Sequence, residues 1–455
     1  MGQTYIDLYI RHEVTLFVVL FFIATMIMLP RQLLGVYFHH QIRRGKLFMQ
    51  HPLTRATGVT LFEPIYLEDP EVLHEALAAL RASLEKWADK YAIICIVDAA
   101  DVYPKEGGAL AEIAEQYGAH VFMTNARSKR KNLRNAVEWA KKHGVLYEFS
   151  AFHDSDTVPT TPDHNIIGEL LRPFVDERVG GVTTAQRIRN PNHWLLRILD
   201  WLEDARIGGS MAAGSLFGQV GCLPGRLYMV RSCIIADWMD ELVEEYWKVP
   251  TYSFKWPFVS IARVQAHAGD DRRMTLRVEE LGYRTVMNPR ATVETTLPKK
   301  LRQINRIFRR WATSSQWLTF RYTGKSWFWR LGFVMYQYYT DLLLTLISVF
   351  LVVRMGYLAI WGEAGLAMPL WMLLAYSVAG VLLTFTVRQL WHLLRHPSRL
   401  LLLPVFVVLV TFWQFIRFQA LFTPGRISVW GSRKGADLEK GKVWFRPFEK
   451  FRKST

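Results

Sequence analysis

Four long apolar runs stand out along the chain: residues 14–29, resuming after Pro30-Arg31 as 33–38; residues 331–353, interrupted only by Asp341; residues 366–387, without charge; and residues 400–416. They match the length of helix that crosses a bilayer, the first lying at the short end. A cleaved signal peptide is the rival reading for that run, but no small-x-small cleavage site follows it. Between the first and second runs the pattern changes. Apolar stretches alternate with amphipathic helical periodicity, predicting strand 58–62, helix 70–87, strand 91–97, helix 108–117, strand 120–123, helix 131–143 and strand 148–153. This alternation implies an α/β domain with a mostly parallel sheet and helices on both faces. Ligands of such sheets bind beyond the carboxyl ends of the strands, here just after Phe62, Val97, Met123 and His153.

Apolar residues make up 51% of the chain, which excludes a disordered polypeptide. Cys95, Cys222 and Cys233 are too few and too scattered for a disulfide framework or a zinc site, and read as reduced thiols. The formal charge is +16, from 56 Lys and Arg against 40 Asp and Glu. Its placement decides what it serves. Arg31, Arg43, Arg44 and Lys46, the stretches 299–310 and 388–399, and the tail all crowd beside apolar runs, as cytosolic membrane flanks do. No nucleic-acid motif accompanies them, so the expected partner is membrane lipid and not nucleic acid. The same rule puts the N-terminus outside and residues from 39 onward in the cytosol. Four full spans would then leave the basic tail outside, against its charge. Pro404 offers a broken or re-entrant fourth segment instead, with a cytosolic tail.

The candidate chemistry lies at the predicted strand ends. After the fourth strand comes His153-Asp154-Ser155-Asp156-Thr157. Two carboxylates at i and i+2, entering a turn, can converge on one hard cation, Mg2+ or Mn2+, with substrate phosphates in its shell. Turn-forming aspartates are the plain alternative. Pro64, Tyr66 and Glu68 follow the first strand, Asp98 the second, and a basic cluster containing Lys129 and Lys131 opens a helix after the third. Cations beside a helix N-terminus favour phosphate. Singly, Tyr66 reads as a packing aromatic, Asp98 as a turn residue and the basic run as a solvated face; together they suit a nucleotide diphosphate with a metal. Farther along, Gly269-Asp270-Asp271-Arg272 precedes a helical stretch at 274–281. Asp271 is there either a helix cap or a general base that takes the proton of an acceptor hydroxyl. Arg310-Trp311 ends a segment of a basic amphipathic helix. That helix lies either on anionic lipid or with Arg310 beside a leaving diphosphate and Trp311 beside an acceptor sugar.

Taken in order, these segments resemble membrane-embedded family-two glycosyltransferases: the synthases of hyaluronan, chitin and cellulose and the nodulation chitooligosaccharide synthases. The resemblance covers residues 58–433. Pro64-Ile65-Tyr66-Leu67-Glu68 resembles the family's first-strand Pro-x-Tyr-x-Glu, which puts Tyr66 on the nucleobase; Asp98 resembles the acid that contacts the base. Lys129-Arg130-Lys131 resembles the Gly-Lys-Arg-Lys stretch near the nucleotide, and Asp154-Ser155-Asp156 the metal-binding triplet. Cys222-Leu223-Pro224-Gly225 resembles the acceptor-site segment in its chitin-synthase wording, and Gly269-Asp270-Asp271-Arg272 the hyaluronan-synthase version of the catalytic-base motif. Trp430-Gly431-Ser432-Arg433 resembles the Trp-Gly-Thr-Arg gating loop after the last membrane segments.

The resemblance implies a GT-A fold with interface helices above a transmembrane bundle. Residues 1–38 would be a membrane segment, 39–298 the cytosolic glycosyltransferase domain, 299–328 interface helices, 329–422 a membrane region and 423–455 a basic tail. The protein would be multi-pass in the plasma (inner) membrane and use a nucleotide sugar, a UDP-sugar by resemblance, with Mg2+ or Mn2+. It would extend a polysaccharide or glycolipid acceptor with inversion and export a β-linked polymer through its own channel. Two departures qualify this. Processive members carry Gln-x-x-Arg-Trp, where this chain has Ile307-Phe308-Arg309-Arg310-Trp311, with Gln303 one turn away. One apolar run precedes the body where hyaluronan synthases have two. The missing Gln favours an alternative, addition of a single sugar to a lipid or short acceptor. A non-catalytic polysaccharide export protein is the alternative of another class, and the ordered acidic motifs argue against it. Tyr336, Tyr338 and Tyr339 suit sugar stacking, but read first as an interfacial aromatic belt.

Overall fold

The first apolar run folds as one helix, α1 (Gly2–Arg43), continuous through Pro30. The structure, a computed structural model, describes residues 2–98, 103–126, 128–253, 256–266, 268–361 and 389–423. The body then alternates β1 (Val59–Ile65), α2 (Pro70–Trp87), β2 (Tyr91–Asp98), α3 (Pro104–Gln116), β3 (His120–Thr124), α4 (Lys129–Lys142) and β4 (Phe149–His153). β1, β2 and β4 are buried along nearly their whole length, which is why they read as unbroken apolar runs and not as alternation. Helix α2 begins at the predicted residue: Asp69 accepts from the Glu71 N–H, and Pro70 occupies the first turn, where its missing N–H costs no bond.

The second half adds β5 (Thr157–Pro159), α5 (Ile166–Leu171), β6 (Val179–Ile188), α6 (Trp194–Arg206), α7 (Ala212–Phe217), β7 (Leu227–Arg231) and α8 (Met239–Val243). A separate hairpin, β8 (Tyr246–Ser253) with β9 (Trp256–Gln265), precedes α9 (Asp270–Glu280) and β10 (Arg284–Thr295). The main sheet has eight strands in the order β3-β2-β1-β4-β7-β6-β10-β5. β3, β2, β1 and β4 run parallel, as do β6 and β10; β7 is antiparallel to both neighbours and β5 to β10. Apolar clusters cover both faces, one around Leu61, Leu77, Ala151 and Met229, the other around Phe62, Ile96, Val137 and Val230. The sheet is thus the expected one on its first side and mixed on the other. The carboxyl ends of β1, β2 and β4 open the crevice where ligands of such sheets bind.

One buried carboxyl makes stability depend on pH. Glu279 is 4% exposed and accepts from Thr285 Oγ1 at 2.9 Å. Burial pushes its carboxyl from the ordinary 4.5 up to about 8. Between those values the folded chain keeps a proton that the unfolded chain has lost, so this group's contribution falls as pH rises through the window. Glu279→Gln keeps the accepting oxygen and cannot ionise. At pH 8 in detergent it should be more stable than the parent by on the order of 3 kcal/mol, the difference closing toward pH 5; melting curves at both pH values check this.

Among the described residues, three helices are long and apolar enough to cross a membrane: Thr15–Gln50, Gly332–Arg354 and Pro397–Leu421. They correspond to α1, α11 (Gly332–Trp361) and α13 (Leu403–Leu421), with α10 (Leu301–Thr323) and α12 (Leu390–Arg395) before the last two. The apolar run 366–387 and the segment Trp430-Gly431-Ser432-Arg433 lie outside the described residues. Pro404 does not break the fourth run: it sits in the first turn of α13, where proline is tolerated. The hydroxyls of the three tyrosines of α11 all have partners within the protein. Tyr336 hydroxyl bonds the Ile27 carbonyl, Tyr338 bonds Gly221 O and Tyr339 bonds Thr323 Oγ1. Inside this bundle Arg31, 1% exposed, meets Asp341 at 2.7 Å and donates to Gln337 O at 3.1 Å.

Candidate active site

The turn after β4 is fixed by its backbone. Asp154 N–H donates to Arg226 O, and Thr157 N–H to Asp154 O at 3.0 Å. Ser155 Oγ donates to Pro64 O at 3.1 Å, tying the turn to the end of β1. Across the crevice, Gly269 adopts φ +79°, a left-handed conformation that glycine takes without strain, and α9 starts at Asp270. Asp270 and Asp271 therefore occupy the first turn, and neither caps the helix. Lys129, the first residue of α4, reaches between the two turns. Its Nζ lies 2.7 Å from Asp154 Oδ1, 3.1 Å from Asp270 Oδ2 and 3.6 Å from Asp271 Oδ1. Gly225, just before β7, closes the group. A Cβ there would stand 2.7 Å from Asp271 Oδ1, 2.9 Å from Lys129 Nζ and 3.0 Å from Asp154 Oδ2, so a larger residue would push these charged ends apart.

The electrostatics follow from this crowding. Burial opposes charge on every member. Lys129 nonetheless stays protonated well above its usual range because Asp154, Asp270 and Asp271 face it. Burial would raise Asp270, but Lys129 and then Arg130 hold it below the ordinary carboxylate value. Asp271 goes the other way: burial and then the Asp270 charge push it up to about 8. Asp156 is raised to about 6 by burial and the Asp154 charge. Behind the turn, His153 Nδ1 lies 3.3 Å from Glu63 Oε2, both fully buried; burial would lower the imidazole, but the Glu63 charge and hydrogen bond raise it. One lysine thus serves an excess of carboxylates. The oxygen-only pair Asp154 and Asp156 fits a hard divalent cation such as Mg2+ or Mn2+.

A second cluster, Asp204, His392 and His396, also has ligand-type atoms within 4.8 Å of one another. Its carboxylate is already neutralised. Arg187 and Arg395 each reach Asp204 Oδ1 at 2.8 Å, and His392 Nδ1 reaches Oδ2 at 2.8 Å. Two guanidiniums oppose a further cation there. The cluster anchors α12 onto α6.

The remaining expected residues fall at graded distances from the carboxylates. Pro64, Tyr66 and Glu68 lie half-buried at the exit of β1. Asp98 ends β2, 3% exposed, and accepts from Asn132 Nδ2 at 3.0 Å. Lys131 is half-buried on α4. Arg130, between the two lysines, turns away into the core to Glu245 Oε2, Leu242 O and Ala268 O at 2.8–2.9 Å. Leu223, in the segment Cys222-Leu223-Pro224-Gly225, donates its N–H to Thr275 Oγ1 at 2.7 Å. Burial and the Asp271 charge push the Cys222 thiol up to about 12, leaving it unreactive. Arg272 departs from the cluster and bonds the Tyr338 hydroxyl at 2.8 Å. Arg310 and Trp311 lie on α10, which touches the turn before α9 where Ser314 packs on Gly269. Ile307, where the resemblance would put Gln, is buried in the apolar cluster of Phe406 and Trp413. That position faces α13 and not the carboxylates. Sequence reasoning assigned Lys129 to the nucleotide but not to its place among the carboxylates, and it did not single out Gln219 and Thr275, which no local pattern marks.

A family model described as glycosyltransferase-like family 2 matches residues 58–314. The chain is 26% identical over 433 residues to a type 2 glycosyltransferase of Gibberella zeae, covering 89% of this chain and 76% of that protein. It is 25% identical over 419 residues to the hyaluronan synthase of Streptococcus pyogenes serotype M1, covering 90% and 89%. Against human hyaluronan synthase 3 the identity is 25% over 338 residues, 64% of this chain and 57% of that one. Among solved structures it resembles a mannosyltransferase from Pyrobaculum calidifontis in complex with GDP-Man and Mn2+, with TM-score 0.51 and 15% identity, covering 89% of this chain and 98% of that one. At that identity the likeness is one of fold, and it supports the GT-A architecture.

Proposed function

The chain belongs to the glycosyltransferase-like family 2, and we propose that it builds a β-linked polysaccharide from a nucleotide sugar at the cytosolic face of the plasma (inner) membrane. The observation that carries this reading is the convergence of Asp154, Asp270 and Asp271 on Lys129, within 2.7–3.6 Å, at the crevice of the sheet. Tyr66 and Asp98, at the ends of β1 and β2, receive the nucleobase, with Pro64 and Glu68 shaping the same rim. Lys129, Lys131 and Arg310 face the diphosphate. Asp154 and Asp156 hold the divalent cation, which when bound neutralises charge on the departing nucleoside diphosphate.

Asp271 accepts the proton of the acceptor hydroxyl. That oxygen bonds the anomeric carbon as the bond to the diphosphate oxygen breaks, inverting the centre. Asp270, kept ionised by Lys129, makes Asp271 the more basic of the pair. Gly225, with Cys222, Leu223 and Pro224, walls the acceptor side, and Trp311 offers its ring to the sugar. The polar residues Ser315, Gln316, Thr319, Asp341 and Arg417 line a cavity among the membrane helices.

A second reading, single addition to a lipid or short acceptor, is favoured by Ile307, which withholds the amide that processive members have. Purified full-length protein in detergent, with Mg2+ or Mn2+, separates the two. UDP-N-acetylglucosamine, UDP-glucuronate, UDP-glucose and GDP-mannose are supplied singly and in pairs, and nucleoside diphosphate release and product length are read together. Long products support the synthase; uniformly monoglycosylated acceptor supports the second reading. No release from any donor overturns both.

A further inference from the structure

We propose that the loop of residues 219–225, which walls the carboxylate site, is held in register by the membrane helix α11, so that Gln219 and Tyr338 are positioning residues for the acceptor. The inference rests on the transfer reaction proposed above. A helix starts with amides that have no intrahelical acceptor. The start of α11 is served from far away in sequence: Gln219 Oε1 accepts from Phe333 N–H at 2.9 Å and Val334 N–H at 3.4 Å. One turn further on, Tyr338 hydroxyl donates to Gly221 O at 2.6 Å and accepts from Arg272 Nε at 2.8 Å. The Arg272 guanidinium also lies over the Tyr338 ring, 3.9 Å from its centre. The approach of loop to helix is close. A Cβ on Gly221 would meet Gln337 Oε1 at 2.8 Å and Tyr338 Cε1 at 3.3 Å.

The other side of the loop is fastened to the catalytic helix. Leu223 N–H donates to Thr275 Oγ1, which donates in turn to Asp271 O, each at 2.7 Å. Val220 N–H donates to Thr285 Oγ1 at 2.8 Å. The loop ends at Gly225 against Asp271 Oδ1. A short hydrogen-bonded path therefore runs from α11 through the loop to the backbone of the residue placed as general base. Arg272, adjacent to that base, closes a second path to the same tyrosine. Tyr338 and Asp341 also line the cavity among the membrane helices. The acceptor wall and this part of the membrane helix are thus one bonded unit.

Loosening this unit should misplace the acceptor hydroxyl and leave the donor where it is. Misplacement of about 1 Å costs transfer far more than binding. The test compares Gln219→Leu, Gln219→Glu and Tyr338→Phe in full-length protein with UDP-N-acetylglucosamine, UDP-glucuronate and Mn2+. Glycosidic bonds formed and nucleoside diphosphate released are counted in the same reaction. Gln219→Leu and Tyr338→Phe should lower the ratio of bonds to nucleotide by about fivefold or more, with donor KM unchanged and shorter products. Gln219→Glu keeps the accepting oxygen and should keep the parental ratio. If Gln219→Leu does not fold, Tyr338→Phe, which retains the ring over Arg272, carries the test. A parental ratio in Tyr338→Phe, or bonds and nucleotide falling in proportion, overturns the positioning role alone. A parent that releases nucleotide from neither of these donors, nor from UDP-glucose or GDP-mannose, overturns the transfer reading and this inference with it.

Discussion

Asp271→Asn lowers sugar transfer by about 10²- to 10⁴-fold, the range expected when a positioned general base is removed, and leaves donor affinity within about threefold. The substitution is close to isosteric and removes the basic oxygen. Stability should not fall with activity. Asp270 and Asp271 lie half-buried side by side, and Asp271 is pushed up to about 8 by desolvation and the Asp270 charge. An amide relieves the repulsion, so the variant should melt at or above the parental temperature, which separates a catalytic loss from misfolding. The pH profile adds a second check. Only ionised Asp271 can accept the proton, so parental transfer rises with pH toward about 8, and the variant loses that limb. Asp270→Asn acts differently: it removes the negative charge that raises Asp271, and the limb should move to lower pH. Full transfer by Asp271→Asn would end the base assignment.

Much of the first half of the fold is legible because each element there carries its own signal. Helix α2 spans the predicted 70–87, framed by Asp69-Pro70 at its start. Strands β1, β2 and β4 announce themselves as short apolar runs, since both faces are covered. The second half is not legible in the same way. β5 is three residues long, and β7 reverses direction between two parallel neighbours, a placement set by the sheet and not by its own sequence. The site divides similarly. Asp154 and Asp156 are readable as a carboxylate pair at a strand end, and Asp270 and Asp271 as acids at a helix start. That Asp154, Asp270 and Asp271 share one ammonium group is tertiary information. Lys129 and Arg130 show the limit: consecutive on one helix, their side chains leave in directions about 100° apart, one into the carboxylates and one into the core. No motif reports which is which.

Replacing Asp154 and Asp156 together with Asn should abolish metal-dependent transfer, by about 10³-fold or more, through loss of the charges that hold a hard cation. The readout that isolates this from catalysis is stability. Among the described residues Lys129 is the one ammonium facing Asp154, Asp270 and Asp271, and Asp156 is already raised to about 6 by burial and by Asp154. Neutral amides relieve that repulsion, so without added metal the double variant should be at least as stable as the parent. The parent should gain melting temperature as Mn2+ is added, because a ligand that binds only the folded chain stabilises it in proportion to log concentration beyond its Kd. The double variant should gain nothing. Protonation of Asp156 competes with the cation, so the parent should need more Mn2+ for the same gain as pH falls from 7 toward 5. Persistence of the Mn2+ effect in the double variant would place the ion elsewhere, and Asp204, His392 and His396 are the next set to test. The present geometry argues against that outcome, because Arg187 and Arg395 already neutralise Asp204, whereas Asp154 and Asp156 face an excess of their own charge.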